Sequence, residues 1–238
     1  MPRLDLLDRA ATRPTRASIP PLENGDRLTR VEFERRYDAM PEGVKAQLID
    51  GIVYMASAVR TDHGDEHLIV STWLGLYATR TPGVIGSLAP SVRLGPKDMP
   101  EPDALLRIVP EAGGLSRVDE DQYLSGPVEL AVEVAGSSAS VDLKVKKSRY
   151  LGRGILEYLV ILLYEPEVMW FARRGHSYAR ILPDRRGILR SKRFPGLWLD
   201  ARALLARDAE RVLAVLDRGL RSREHAAFVR ELDRRRRA

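Results

Sequence analysis

Two carboxylates stand where a stable sheet would not place them without a partner. Asp103 follows Pro102 and opens the apolar run Ala104-Leu105-Leu106, and Glu133 sits inside Val128-Glu129-Leu130-Ala131-Val132-Glu133-Val134. Burying an ionised carboxylate is costly unless it is paired or coordinates a cation. Two such acids on neighbouring strands make a divalent-metal site. Mg²⁺ takes oxygen ligands and keeps several waters, so two protein carboxylates suffice. The plainer alternative is a strand-start turn at Asp103 and an Arg partner for Glu133. Asp142, Lys146 and Tyr150 follow at i, i+4 and i+8 and so share one helical face. The short link Gly136-Ser137-Ser138 joins that helix to the strand of Glu133. A Lys aimed at a metal-bound water orients it and offsets charge developing on a phosphate. Taken alone, the Asp–Lys spacing is equally that of an exposed helix pair, worth only ~0.3–0.5 kcal/mol.

A second motif competes. His63-Gly64-Asp65-Glu66-His67 fits the inverted zinc-protease pattern H-x-x-E-H. His63 and His67 could share a zinc ion, with Glu66 as base, but a third protein ligand has no obvious source. The alternative is a polar helix start whose acids are favoured by the helix dipole.

The elements that must position these residues follow from period and punctuation. Residues 1–27, rich in Pro and Arg, read as a flexible or loosely docked arm. A short helix covers 28–39. Asp50-Gly51 between Gln47-Leu48-Ile49 and Ile52-Val53-Tyr54-Met55 reads as a hairpin, since both turn residues tolerate positive φ. Helical spacing over 63–80 ends at Thr81-Pro82-Gly83. Strands are expected near 84–94, 103–109 and 128–135, the last a central strand, then a helix over about 141–152. Further strands are expected at 157–164, 167–173 and 177–182. Residues 201–238 read as a helical extension, with a restart capped by Ser222. Its apolar face, through Leu213, Leu216 and Leu220, must be buried, on the core or in a homodimer. A homodimer is the expected assembly. The order of elements gives an α/β domain with a mixed central sheet flanked by helices.

The motifs, taken in order, carry a resemblance. Leu48-Ile49-Asp50-Gly51, Pro102-Asp103, the Glu133 strand with Ser137-Ser138, Asp142, Lys146, Tyr150 and Gly154-Ile155-Leu156-Glu157-Tyr158 together resemble the Uma-two family of restriction endonucleases, in the PD-(D/E)XK nuclease-like superfamily. The likeness spans about residues 28–200, including the closing run 194–200. It implies a restriction-endonuclease-like core over 28–200 and hydrolysis of DNA phosphodiesters. It also implies a Mg²⁺ or Mn²⁺ site held by Asp103 and Glu133. The parent motif carries a Lys two residues after the Glu. Ala135 stands there, and Lys146 is the implied replacement from the helix. Just before Leu48-Ile49-Asp50-Gly51 the family carries an acid where this chain has Gln47, so a catalytically weakened binding protein is the alternative function.

Composition agrees with this class and excludes others. The chain has 238 residues, 44% of them hydrophobic, enough for a sizeable core and too many for a disordered chain. It has no Cys, which excludes disulfides, a thiol nucleophile and a Cys-based zinc site. No run approaches the ~18 apolar residues of a membrane span, and the acidic N-terminus is unlike a secretory signal, so a soluble cytoplasmic protein is expected. The net charge is +6, but residues 31–200 hold 22 basic and 23 acidic residues. The excess sits at the ends, chiefly in Arg234, Arg235, Arg236 and Arg237, read as a solvated helix end rather than a phosphate contact.

Overall fold

Asp50 and Gly51 take φ of 54° and 77°, the left-handed pair that a tight hairpin requires. They fold β1 (Ala46–Ile49) back on β2 (Ile52–Met55). This computed structural model describes residues 19–56, 61–136 and 138–238, the side chains of 61–63 excepted. Most of the expected N-terminal arm, Ser137 and the His63 side chain therefore lie outside the described residues. The helix α1 (Arg30–Tyr37) is capped by Thr29, whose side chain accepts the Glu32 N–H, and buries Phe33. Phe33, Leu22, Ala46, Leu48, Val53 and Met99 form a small core beside the main one.

The long helix α2 (Thr61–Thr79) leads into β3 (Val84–Leu88). The single strand expected over 84–94 breaks here, because Ala89 turns left-handed at φ 44° ahead of Pro90. The chain resumes as β4 (Val92–Arg93), which leaves the main sheet. After β5 (Ala104–Ile108) come β6 (Arg117–Val118) and β7 (Leu124–Ser125), which join β4 in a three-stranded sheet. Next is the buried strand β8 (Leu130–Ala135). Beyond it lie β9 (Glu157–Leu162), β10 (Glu167–Arg174) and β11 (Ser177–Arg180).

The main sheet runs β11-β10-β9-β8-β5-β3. Its β8–β9 pair is parallel and its other pairs are antiparallel, so the sheet is mixed. A parallel pair needs a crossover. The chain makes it through a π-type turn over Val141–Lys146 that continues as α3 (Lys147–Arg153). The helix expected over 141–152 is present, but its opening turn is wider than α. The crossover hangs α3 on the sheet directly over β8 and β9. Gly154, at φ 93°, ends it.

The opposite face of the sheet is covered by α2 and the C-terminal helices. Two short strands that the sequence did not suggest, β12 (Ile188–Arg190) and β13 (Trp198–Asp200), pair antiparallel and lead into α4 (Ala201–Leu205). The last two helices are α5 (Ala209–Leu220) and α6 (Arg223–Arg236), the latter capped by Ser222 as expected. Val212, Leu216 and Leu232 join Trp73 and Tyr77 of α2 against Leu106, Val132 and Trp170. Trp73 meets Trp170 edge-to-face, with ring centroids 5.9 Å apart. Leu213 and Leu220 pack on the same core, so the amphipathic face is used within the chain. Among the described residues no helix is long and apolar enough to cross a membrane.

This division between core and surface has a measurable consequence. Leu216 is fully buried, and Leu216→Ala should lower the unfolding free energy by about 2–5 kcal/mol. Arg234, exposed and paired with Glu231, should change it by less than about 0.5 kcal/mol on mutation to Ala. Urea denaturation of the two variants checks the contrast.

Candidate functional site

Strand alternation selects the face on which the two carboxylates stand. In β8, Leu130, Val132 and Val134 belong to the core under α2, whereas Ala131 and Ala135 belong to the core under α3. Glu133 lies between those alanines and shares their face. In β5, Ala104 and Leu106 face α2 while Leu105 faces α3, so Asp103 falls on the α3 side as well. Ala104 is paired with Val132, which sets Asp103 opposite Glu133 one step further along. Asp103 Oδ2 accepts the Val134 N–H at 2.7 Å, so its side chain extends the ladder where the backbone pairing stops.

The crossover brings the rest. Lys146 Nζ lies 2.8 Å from Glu133 Oε2 and 3.1 Å from Asp142 Oδ1. The Tyr150 hydroxyl donates to Glu133 Oε1 at 2.9 Å. The Ser138 hydroxyl donates to Asp142 Oδ2 at 2.6 Å, and the Tyr158 hydroxyl to the Asp142 carbonyl at 3.1 Å. Asp142, Lys146 and Tyr150, placed on one face by their spacing, thus converge on Glu133. Ala135, two residues past Glu133, packs in the apolar core under α3, and the amine near the carboxylate comes from the helix.

The cluster gathers more acidic side chains than basic ones. Burial pushes the Glu133 carboxyl up to about 8; Lys146 opposes the rise, and Asp142 and Asp103 add to it. Burial also works against the charge on Lys146, but Glu133 and Asp142 outweigh it and hold the amine above the ordinary lysine range. Burial and the adjacent Glu133 raise the Tyr150 phenol. Lys146 is therefore an ammonium set among the carboxyl groups of Glu133 and Asp142. Asp103 and Glu133, on adjacent strands and one face, are the two carboxylates that could hold a hard divalent cation. Among the described residues, no group of three or more His, Asp or Glu is arranged to hold a metal ion, so water and substrate oxygens would complete such a shell.

A residue that sequence reasoning missed fixes this helix in place. Asp98 is buried, and its Oδ1 accepts the Asp50 N–H and Arg149 Nε–H, both at 2.9 Å. Its Oδ2 accepts Arg153 Nε–H at 2.8 Å. Burial alone would raise its pKa, but Arg149, the Asp50 N–H and Arg153 hold it below the usual carboxylate range. Asp98 thereby clamps α3 to the hairpin turn. The hairpin is bound in turn to the segment before Asp103, through the Leu48–Met99 bridge and a 3.3 Å bond from the Glu101 N–H to Gln47 Oε1. Gln47 thus binds the chain two residues ahead of Asp103, with its carbonyl oxygen engaged by backbone.

Two other motif residues have structural work. Glu157, buried at the start of β9, accepts from Trp170 Nε1–H, the Ser191 hydroxyl and the N–H groups of Lys192 and Arg193. It pins the loop before β13 to the sheet. In the H-x-x-E-H motif, buried Glu66 receives Arg207 Nε–H at 3.2 Å, and His67 Nε2 lies 3.1 Å from the Asp103 carbonyl oxygen. Glu66 ties α2 to the segment after α4, and its carboxylate is engaged by Arg207.

Comparisons with known proteins agree with the fold. A model of the Uma2 family, described as putative restriction endonuclease, matches residues 30–202. No curated protein matches the chain. Among solved structures, the chain is similar to a putative nuclease belonging to DUF820 from Anabaena variabilis. That likeness has a TM-score of 0.56 at 12% identity and covers 73% of this chain and 97% of the other.

The elevated Glu133 value predicts a pH signature. A carboxyl whose folded pKa exceeds its unfolded value of 4.5 adds stability that is complete below 4.5 and is lost as pH rises towards about 8. Glu133→Gln keeps the neutral form throughout. Without divalent metal, this variant should therefore gain stability relative to the parent between pH 5 and pH 8. Urea unfolding at both pH values, in the presence of a chelator, measures the difference. A constant difference would show that Glu133 is ionised throughout.

Proposed function

We propose, from the premise that this chain belongs to the Uma2 family, that it is a metal-dependent endonuclease hydrolysing DNA phosphodiester bonds at the Glu133 cluster. The observation that carries the reading is the buried Lys146 ammonium, 2.8 Å from Glu133 on the sheet face that Asp103 shares. An acid pair with an adjacent amine is the chemistry that phosphoryl hydrolysis needs.

Asp103 and Glu133 would hold Mg²⁺ or Mn²⁺. When bound, the ion supplies a water of lowered pKa and polarises the phosphate. The other roles belong to side chains of this chain. Lys146 donates a proton bond to the attacking water or to a phosphate oxygen and offsets the developing charge. Asp142, held by Ser138, keeps the ammonium aimed at Glu133. Tyr150 fixes the Glu133 carboxylate by occupying Oε1, which leaves Oε2 for Lys146 or a cation. The Glu133 and Lys146 side chains are each 4% exposed, so a phosphate reaches them only after α3 or the neighbouring segments shift.

Gln47 favours a second reading, a DNA-binding or interaction protein with a weakened site. Its amide brings no charge to the metal and already accepts a backbone N–H. Residues 1–27, 28–200 and 201–238 are proposed as arm, nuclease-like domain and extension. The homodimer suggested by the amphipathic C-terminus loses that support, since the face is spent on the core.

The test is cleavage of supercoiled plasmid with Mg²⁺ or Mn²⁺. Parent protein should nick or linearise DNA, chelator should stop it, and Asp103→Ala and Lys146→Met should each reduce the rate by at least about 100-fold. Equal rates for parent and Asp103→Ala would refute the assignment. Absence of cleavage alongside retained DNA binding would favour the weakened-site reading. A separate titration by calorimetry should find tighter Mn²⁺ binding in Gln47→Glu than in the parent. An unchanged affinity would place position 47 outside the metal's reach.

A further inference from the structure

Lys146 and its sequence neighbour Lys147 face different surroundings. Lys146 turns into the acidic cluster, whereas Lys147 Nζ lies 3.7 Å from the centroid of the Phe171 ring of β10. Phe171 is paired with Arg180 of the edge strand β11, so Arg180 stands on the same face as Phe171. Lys147 makes no ion pair among the described residues, and partial burial together with the Arg180 charge holds its pKa below the ordinary lysine range. Two cations have thus been set beside each other without an acid between them. Arg180 is paired on its other side with Glu167, which neutralises part of the patch. Lys144, exposed three residues earlier, and half-buried Arg173, on the same face of β10, add further positive charge without ion-pair partners among the described residues. Like charges held together cost free energy that a bound polyanion removes.

This strip starts beside the Glu133 cluster and ends at the sheet edge. Three strand steps separate β8 from β11, about 14 Å at the usual spacing. Along duplex DNA that distance covers about four phosphates of one strand. The C-terminal Arg run differs, because Arg234 and Arg235 are matched to Glu231, and Arg237 to Asp233.

We propose that Lys144, Lys147, Arg173 and Arg180 form the track that carries the DNA phosphates flanking the bond to be cleaved. The proposal rests on the nuclease reading above and names the surface that reading lacks. It is tested by binding alone, using fluorescence anisotropy of a labelled duplex in chelator between about 50 and 200 mM salt, the range over which phosphate contacts are resolved. Each lost contact should reduce the slope of log affinity against log salt by about 0.9. The triple variant Lys144→Gln, Lys147→Gln, Arg180→Gln should therefore flatten the slope by about 2 to 3. Lys147→Arg should retain it, and so should the triple Arg234→Gln, Arg235→Gln, Arg237→Gln. Unchanged thermal unfolding of the strip variant shows that the fold is intact. If the parent binds DNA and the strip variant keeps the full slope, the track is refuted and the nuclease reading stands. If the parent binds no duplex, the track is refuted, and the cleavage assay decides the nuclease reading separately.

Discussion

The Glu133–Lys146 contact organises this molecule. It is made across a parallel crossover, between a strand buried on both faces and the turn that follows it. An isolated carboxylate or ammonium at that depth would be neutralised by proton exchange or drive the segment open. Once paired, they fix where α3 lies, and α3 in turn fixes Arg149 and Arg153 against Asp98. The hairpin turn at Asp50 is then held from the same point, and with it the segment leading to Asp103. One buried contact thereby links three elements that approach from different parts of the chain.

The sheet explains why so few residues are needed. Its order puts the strand of Glu133 at an interior position, flanked by β5 and β9. The antiparallel neighbour contributes Asp103 by register, and the parallel neighbour forces the crossover that contributes Lys146. Apolar packing on the opposite face, where Trp73 and Trp170 meet under α2, stiffens the sheet without touching the polar cluster. The C-terminal helices belong to that supporting layer.

Much of this was legible in local pattern. The Asp50-Gly51 turn, α2, the acid inside β8 and the i, i+4, i+8 spacing each need only a few adjacent residues to be recognised, and each stands where the pattern put it. What was not legible depends on distant residues or on backbone alone. Asp98 reads as a loop acid until Arg149 and Arg153, some fifty residues later, are brought to it. The π-type winding of Val141–Lys146 has no side-chain signature. Strands as short as β12 and β13 offer too few positions for a period. Counting charge by segment was also misleading. Residues 31–200 nearly balance, yet residues 173–193 hold eight Arg or Lys against Asp184 alone. The terminal Arg run looked like the basic feature and is largely matched by its own helix.

The contacts of the cluster differ in how far apart along the chain their partners lie. Glu133 and Lys146 are only thirteen residues apart, whereas Asp103 comes from thirty residues upstream and docks by antiparallel pairing. Short loops lose less entropy on closure and form early. The Glu133–Lys146 contact can therefore form before Asp103 docks. Whatever strengthens the later contact, made by Asp103, would then slow unfolding more than it changes the folding rate.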